Sequence, residues 1–488
     1  MSWAELYPWS APRRDAPAMR QVYEQARQAI LAGALAPGAR LPSTRDLASR
    51  VGVARATVVS AYELLLAEGY AEARTGAGTF VAGDLSGLEG ALAPPRAAVA
   101  PPPVLPDALR RLDAAPPILN LPGEALFNTG RTRMDKRALQ GWRRAARRVA
   151  ESLGPAHFGY AAPAGDPELR EAIAQYLRAA RGVVCEPSQV IVTAGAQQAI
   201  DIAARALISE GTEVWIEDPA YGASVRALKA LGAKLVPTPV DGAGLVVSEG
   251  VKAAPGARVA YVTPSHQYPL GVTLSMARRL ELLAWARSAG AWLIEDDYAS
   301  EFRYAGPPLA SLQGLDGGQR TLYVGTFNKA LFPGLRLGYL VAPEALAPRL
   351  VAIREVIDRQ PASLTQAVVL EFMRSGDFAA HIRRRRLAYG AQRDALVDAL
   401  RAHCGAWLDP EVPEQGMHLV APLKAGLRDL EAQEAAARAG VIAKAVSPLY
   451  HRAAPRAALV FGFAGFAPET MAPAARRLAT ALGELTPA

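Results

Sequence analysis

The sequence predicts two unlike parts: a small, mostly helical N-terminal domain and a large α/β domain built on a mostly parallel sheet. Three observations lead there. A proline-rich stretch from Pro94 to Pro117 contains Pro94-Pro95, Pro101-Pro102-Pro103 and Pro116-Pro117. Such a run is stiff, extended and unable to build a core, so it reads as a spacer. Before it, apolar residues recur at helical spacing. After it, short apolar strands alternate with amphipathic segments, the pattern of a parallel sheet covered on both faces. The expected boundaries are a domain at 1–85, a linker at 86–118 and a domain at 119–488.

Composition narrows the function classes. With 488 residues, 51% of them hydrophobic, the chain can bury large cores without cross-links. Cys185 and Cys404 are far apart in no C-x-x-C pairing, and the six histidines show no ligand spacing. A disulfide scaffold, a zinc finger and an iron–sulfur protein are therefore poor readings, and no metal site is expected. No run of 18 apolar residues occurs, so the expectation is a soluble cytoplasmic protein with no membrane partner. A net charge of +8 permits nucleic-acid binding without requiring it. Seven lysines stand against 47 arginines, so a lysine inside a tight motif stands out.

In the small domain, Met19 to Leu31 reads as an amphipathic helix with Val22, Ala26, Ala29 and Ile30 on one side. Ser43 and Asp46 make a capping-box-like start to a second helix, which ends near Gly52. Ala54 to Glu68 forms a third. Two helices joined by a short Gly-containing turn are a helix-turn-helix, whose second member can lie in a major groove. Arg55, Thr57 and Ser60 sit at the start of that helix, and Arg45 at the start of the one before. These residue types contact phosphates and base edges. Ala71 to Arg74 and Thr79 to Val81, joined through Gly76 and Gly78, read as a hairpin or wing. The domain holds nine arginines against eight acids, so a few placed arginines must do what net charge cannot. Beyond the spacer, a basic cluster from Arg131 to Arg148 faces one acid, Asp135. It is either a solvated helix face or a surface that touches DNA or the small domain.

In the large domain, candidate strands are Val190–Val192, Glu213–Ile216, Val259–Val262, Trp292–Ile294 and Leu322–Val324, with Leu280 to Ser288 among the amphipathic segments between them. Ligands of such folds gather beyond the carboxyl ends of the strands. There the run Gly325-Thr326-Phe327-Asn328-Lys329-Ala330-Leu331-Phe332-Pro333-Gly334-Leu335-Arg336-Leu337-Gly338 places a lysine at a strand end and an arginine seven residues later in a Pro-Gly turn. That pairing suits a cofactor with an aldehyde and a phosphate: the amine forms a Schiff base and the guanidinium takes the phosphate. Asp296 and Tyr298, two apart in extended chain, point to one side. An Asp beside a pyridine nitrogen keeps it protonated, and a Tyr can hydrogen-bond the ring's phenolate oxygen. Gly195-Ala196-Gln197 opens a helix after a strand, an anion site for the same phosphate, and Tyr221 can stack on the ring. Four strand ends thus converge on pyridoxal 5'-phosphate.

The string from Tyr23 to Val81, with AILAGALAPGARLPSTRDLASRVGVARATVVSAYELLLAEGY and RTGAGTFV, closely resembles the winged helix of GntR-family bacterial regulators. Val59 lies where some relatives carry a second recognition-helix arginine. Residues 119–488 resemble the fold-type I aminotransferases, which depend on pyridoxal phosphate. TPSHQYPLG, IEDDYASEFRY and GTFNKALFPGLRLGY make the whole chain similar to the MocR subfamily of GntR regulators. The resemblance implies that Lys329 is the catalytic Schiff-base lysine, Asp296 the pyridine-nitrogen partner, Tyr298 a ring-oxygen ligand and Arg336 the phosphate arginine. It also implies a homodimer in which Tyr160 reaches the partner's phosphate. Asn328 stands where relatives often have Ser, and Tyr268 where enzymes of this fold carry the Asn of Asn-Pro-Thr-Gly. The carboxylate-binding arginine of aminotransferases would fall near Leu459 to Gly462, where there is none; Arg452 and Arg456 are the nearest substitutes. The implied function is a transcriptional regulator of double-stranded operator DNA that senses a small amine or amino acid, or the vitamin itself. The alternative is a working aminotransferase with an appended DNA-binding domain.

Overall fold

A computed structural model describes residues 7–13, 16–84, 126–306, 309–424 and 426–485. The expected linker at 86–118 lies outside them. The chain divides into two compact units, Met1–Val104 and Leu105–Ala488.

The first unit packs α1 (Ala18–Leu31), α2 (Thr44–Val51) and α3 (Arg55–Ala67) against a hairpin of β1 (Ala71–Arg74) and β2 (Gly78–Val81). Val22, Ala26 and Ile30 of α1 meet Leu47 and Val51 of α2 and Val58 and Leu65 of α3 in one buried core. Ser43 caps α2 by accepting the Asp46 N–H at 3.1 Å. Asp46 reaches back through its carboxylate, which accepts the Ser43 hydroxyl at 2.7 Å. Gly52 ends α2 at φ 69°, a left-handed position that glycine adopts without cost. Three residues then separate α2 from α3.

The second unit holds an eight-stranded sheet: β3 (Val190–Thr193), β4 (Glu213–Asp218), β5 (Lys234–Asp241), β6 (Gly244–Leu245), β7 (Val259–Val262), β8 (Trp292–Asp296), β9 (Thr321–Thr326) and β10 (Gly338–Val341). Their order is β3-β10-β9-β8-β7-β4-β5-β6. Neighbours from β9 through β5 pair in parallel. β10 is inserted antiparallel to both β3 and β9, and β6 is antiparallel to β5. The sheet is therefore mixed. Sequence periodicity missed β10, whose four residues Gly338–Val341 lie three residues beyond the Pro333-Gly334 turn and resemble a loop end.

Helices cover both faces. Successive residues of a strand point to opposite sides: Ile294 joins the core of α5 (Ala196–Leu207), whereas Leu293 joins that of α6 (Met276–Ala289). On the α6 side, Trp215 stacks on Trp285 with ring centroids 3.7 Å apart. A second sheet, β11 (His418–Pro422), β12 (Lys444–Ala445) and β13 (Ala458–Gly462), is antiparallel in the order β11-β13-β12. Its Leu419, Leu459 and Phe461 face share a core with Leu396 and Leu400 of the helix Asp377–Cys404 and Leu478 and Leu482 of the helix Met471–Gly483. Its other face carries His418, Val420, Val460 and Lys444, which stand in register across the strands.

The basic cluster from Arg131 to Arg148 falls largely on α4 (Lys136–Glu151). Asp135 caps that helix and accepts from Arg384 at 2.8 Å and Arg385 at 3.2 Å. Arg144 pairs with Asp377 and Arg148 with Glu371, so part of the cluster is neutralised inside the unit. No helix among the described residues is long and apolar enough to cross a membrane.

Candidate functional site

A cavity of about 370 Å³ opens at the carboxyl edge of the large sheet. Tyr221 follows β4, Thr263 follows β7, Asp296 ends β8, and Thr326 ends β9; all four line it. Because β10 runs backwards, its first residue lies at this same edge. The loop from Lys329 to Leu337 therefore leaves and re-enters the sheet beside the cavity, and both Lys329 and Arg336 line it.

Three consecutive acids at the end of β8 have three different fates. Glu295 accepts the N–H groups of Leu312 and Gln313, both at 2.9 Å. Asp297 accepts from the Arg181 guanidinium, whose Nη2 also reaches Ser265 at 2.9 Å, and from the Tyr323 hydroxyl at 2.5 Å. Both anchor the strand end from the side away from the ligand. Asp296, on the alternate face, accepts the Tyr261 hydroxyl on Oδ2 at 2.6 Å. Its Oδ1 is buried and has no partner among the described residues. Burial raises the Asp296 pKa to about 6, against the opposing hydrogen bond from Tyr261. A buried acceptor left open inside a cavity is poised for a donor from a ligand.

Burial also lowers the Lys329 amine to about 8, with the positive charge of Lys444 adding to the effect and Asp296 opposing it. An amine so placed keeps a nucleophilic, unprotonated fraction near neutral pH. The Lys329 loop is held by Asn328, whose N–H donates to Thr326 Oγ1 and whose Oδ1 accepts the Leu337 N–H, both at 3.1 Å. Arg336 takes a left-handed backbone, φ 52°, and its side chain is exposed to the cavity. Ala196 and Gln197 bring the first turn of α5 to the same corner. Gly195 precedes that turn at φ 103°; a Cβ there would lie 2.8 Å from Asn328 Nδ2 and 3.9 Å from Arg336 Nη1. Only glycine lets the helix start, Asn328 and the guanidinium crowd together, and amides plus guanidinium make an anion site.

Lys329, Asp296, Tyr298, Arg336, Tyr221, Ala196 and Gln197 are thus brought to one cavity, with Gly195 at its rim. The Tyr298 hydroxyl donates to the His266 carbonyl at 2.8 Å. Tyr160 is not brought in; it is 82% exposed, with the Arg359 guanidinium 4.4 Å from its ring centre. Arg452 borders a separate depression next to Asp218, and Arg456 pairs with Glu411 at 2.6 Å. Neither reaches the cavity, because the chain between β12 and β13 is tied by Asp218, whose carboxylate accepts the N–H groups of His451, Arg452 and Ala453.

Sequence reasoning missed other walls. Asn128, Thr129 and Gly130 close over Lys329, and Gly462 is required beneath them, since a Cβ there would lie 2.4 Å from the Asn128 carbonyl. His418 and Lys444 enter from the small sheet. His418 bonds the Pro269 carbonyl through Nε2 at 3.1 Å, and burial holds its pKa down at about 4, so its ring is neutral. Tyr268 packs edge-on between Tyr221 and His418. The scarcity of lysine was the one signal that pointed at Lys444.

On the first unit, Arg45, Arg55 and Ser60 are exposed and Thr57 is half-buried, while Val58, Ala61, Tyr62 and Leu65 turn the opposite side of α3 inward. Arg55 Nε donates to Thr44 Oγ1 at 3.2 Å, which ties the starts of α2 and α3 together. In the wing, Gly76 and Gly78 take φ 74° and 113°. Arg74 pairs with Glu72 at 2.5 Å and lies over Phe80, so its charge is compensated locally.

Comparison with known proteins matches residues 125–478 to the family Aminotransferase class I and II and residues 18–81 to Bacterial regulatory proteins, gntR family. The chain is 39% identical to the probable rhizopine catabolism regulatory protein MocR of Rhizobium meliloti, over 94% of this chain and 92% of that one. It is 35% identical to the HTH-type pyridoxine biosynthesis transcriptional regulator PdxR of Corynebacterium glutamicum, over 78% of each. Among solved structures it is similar to LysN, an alpha-aminoadipate aminotransferase of Thermus thermophilus complexed with N-(5'-phosphopyridoxyl)-L-leucine. That similarity has a TM-score of 0.71 and 26% identity, and covers 78% of this chain and 97% of that one.

Proposed function

Because this chain belongs to the MocR subfamily of GntR-family transcriptional regulators, we propose that it is a pyridoxal-phosphate-dependent, DNA-binding regulator that senses a small amine or amino acid. The observation that carries the reading is the cavity in which the open Oδ1 of Asp296, the Lys329 amine and the Arg336 guanidinium face one space. A ligand that answers all three has a protonated ring nitrogen, a carbonyl and an anionic group. Pyridoxal phosphate has each of them, and the residues present fit it.

When bound, the cofactor supplies an aldehyde that condenses with amines and a pyridine ring that withdraws electrons. The chain's residues do the rest. Lys329 would offer its amine to the aldehyde. Asp296, ionised, would hold a proton on the ring nitrogen through Oδ1. Arg336, with the first turn of α5 at Ala196 and Gln197, would hold the phosphate. Tyr221 and Tyr268 shield one side of the cavity from water. In the first unit, Arg45, Arg55, Thr57 and Ser60 are the residues that would contact operator DNA, with the wing around Gly76 and Gly78 following the backbone. The molecule would act as a homodimer, each copy supplying one winged helix and Tyr160 reaching the partner's phosphate. The domains would divide at 1–85, 86–118 and 119–488.

The test is operator affinity measured without cofactor, with pyridoxal phosphate, and with amines then added. An amine-dependent change supports the sensor, and a change with pyridoxal phosphate alone points to a sensor of the vitamin. Steady turnover of an amino donor and a keto acid, far above that of Lys329→Ala, would favour the aminotransferase instead.

A further inference from the structure

Taking the cavity as a pyridoxal phosphate site assigns most of its charges. Arg336 goes to the phosphate, Lys329 to the aldehyde and Asp296 to the ring nitrogen. One cation is left. Lys444 lines the same cavity, from the small sheet instead of the Lys329–Arg336 loop, and no hydrogen-bond or carboxylate partner serves it among the described residues. Asp296 is the one carboxylate among the lining residues, and His418 beside it is neutral.

The register shows how Lys444 comes to be there. It pairs directly with Val460 of β13, which in turn pairs with Val420 of β11, and His418 pairs with Gly462 two residues on. Lys444, Val460, Val420 and His418 therefore share the face turned away from the C-terminal helices. The stretch Leu459 to Gly462 is where an arginine would be needed to grip a carboxylate. The chain instead has Val460 there and a lysine directly alongside, one strand over.

An unpaired ammonium in such a place is held at some cost. Its pKa is lowered by desolvation, and its charge helps to lower that of Lys329. An anion drawn in with the ligand relieves both.

The geometry points to Lys444 as the anchor for an acidic group on the effector, so that the ligand class is a small primary amine that also bears a carboxylate or sulfonate. This rests on the pyridoxal phosphate reading of the cavity. Lys329 and its cofactor recognise the amine end, and Lys444 recognises the acid end. A plain alkylamine satisfies only the first. Arg452 and Arg456 do not serve, being held outside the cavity.

The experiment titrates the full-length, cofactor-loaded protein with glycine, β-alanine, 4-aminobutanoate, 5-aminopentanoate, L-alanine and 2-aminoethanesulfonate, each against the alkylamine of equal chain length. The readout is the absorbance change of the bound cofactor, in wild type, Lys444→Arg and Lys444→Gln. Lys444 is exposed to solvent in the cavity, so neither substitution disturbs a core. In wild type, at least one acid is expected to act at concentrations about ten- to a hundredfold lower than its matched amine, the range of one charge-assisted bond. Lys444→Arg should keep most of that preference and Lys444→Gln should lose it, each variant being compared with its own matched amine at saturating pyridoxal phosphate. No preferred acid in wild type, or a preference that survives in Lys444→Gln, overturns the assignment. So does a Lys444→Gln protein whose main defect is in cofactor uptake, since Lys444 would then be a cofactor ligand. A wild-type protein that takes up no pyridoxal phosphate before any amine is added refutes the underlying reading, and this inference with it.

Discussion

The hydroxyl of Tyr261 donates to Oδ2 of Asp296 at 2.6 Å, and both groups are buried in adjacent parallel strands. Tyr261 pairs with Ile294, and Asp296 lies two residues further on, hence on the same face. The bond favours the ionised carboxylate, whose pKa burial has already raised to about 6. Tyr261→Phe removes that support, so the pKa should rise further and more of Asp296 should be protonated at pH 7. A protonated Asp296 cannot hold the ring N–H. Cofactor affinity should fall by about tenfold at pH 7, the effect of one hydrogen bond to a charged group, and recover toward wild type by about pH 9. Absorbance titrations across this range check it, and an equal loss at both ends would mean that the tyrosine acts only by packing.

Lys329 should carry the cofactor covalently. Purified protein loaded with pyridoxal phosphate should show the absorbance of the lysine-bound form, and Lys329→Ala should lack it. Borohydride reduction followed by peptide mapping should find the label on Lys329; a label on Lys444 instead would reverse the roles of the two amines.

Arg336→Ala should weaken cofactor binding by about ten- to a hundredfold, the loss of a charge-assisted bidentate contact of roughly 1.5–3 kcal/mol. Folding should change by less than about 0.5 kcal/mol, since the side chain is exposed and supports no core. Paired calorimetry and cofactor titration separate the two effects. An unchanged cofactor affinity would remove Arg336 from the phosphate site.

Much of this was legible because the chemistry sits in contiguous strings. Lys329 and Arg336 share one loop, and Asp296 and Tyr298 share one strand end, so local alternation places them. The helix-turn-helix was legible through Ser43, Gly52 and the buried spacing of α1, all of them short-range signals. What the sequence hid is long-range. Lys444 reaches the cavity through its pairing with Val460, and Asn128 through the glycine at Gly462, contacts between segments with no shared periodicity. β10 was hidden for a different reason: its first residue, Gly338, closes the run that reads as the Lys329–Arg336 loop. Tyr298 shows the remaining gap, since a residue type and a direction do not reveal its hydrogen bond to the His266 carbonyl.

Glu301 offers a pH-dependent test of the core behind the site. It is 8% exposed; the Tyr176 hydroxyl donates to one oxygen at 3.4 Å, and the other has no partner among the described residues. Burial first, then the charge of Asp297, raises its pKa to about 7 from an ordinary 4.5. The folded state thus binds this proton more tightly than the unfolded state. The resulting penalty is absent below about pH 4.5, grows as pH rises, and is complete above about pH 7. Glu301→Gln removes the penalty. Relative to wild type, the variant should be more stable at pH 8 than at pH 4 by on the order of 2–3 kcal/mol. Denaturant melts at the two pH values check it, and a difference independent of pH would show that the carboxyl is not titrating between them.

Operator binding should depend on Arg55 and on two copies of the winged helix. The first unit has its own core, so residues 1–85 should fold alone and expose the same α3 surface. Bulk charge cannot supply the affinity, with nine arginines against eight acids in that stretch. Several of those arginines are also occupied: Arg74 by Glu72, and Arg27 by Glu24 and Tyr70. Arg45 and Arg55 remain at the starts of α2 and α3, exposed and free of carboxylates. Arg55→Ala should therefore cost on the order of 1–3 kcal/mol per half-site, and it should weaken the tie to Thr44 that orients the start of α3. Arg55→Lys keeps the charge but not the fork, so it should recover salt-dependent binding better than sequence preference. Binding by a single domain lacks the second half-site that a dimer holds in place, which makes the isolated domain far weaker than the full chain at the same repeat. Fluorescence anisotropy on an upstream repeat, read at two salt concentrations, separates these terms. Equal affinity for the isolated domain and the full-length protein would end the dimer argument, and an unaffected Arg55→Ala would end the assignment of α3 as the recognition helix.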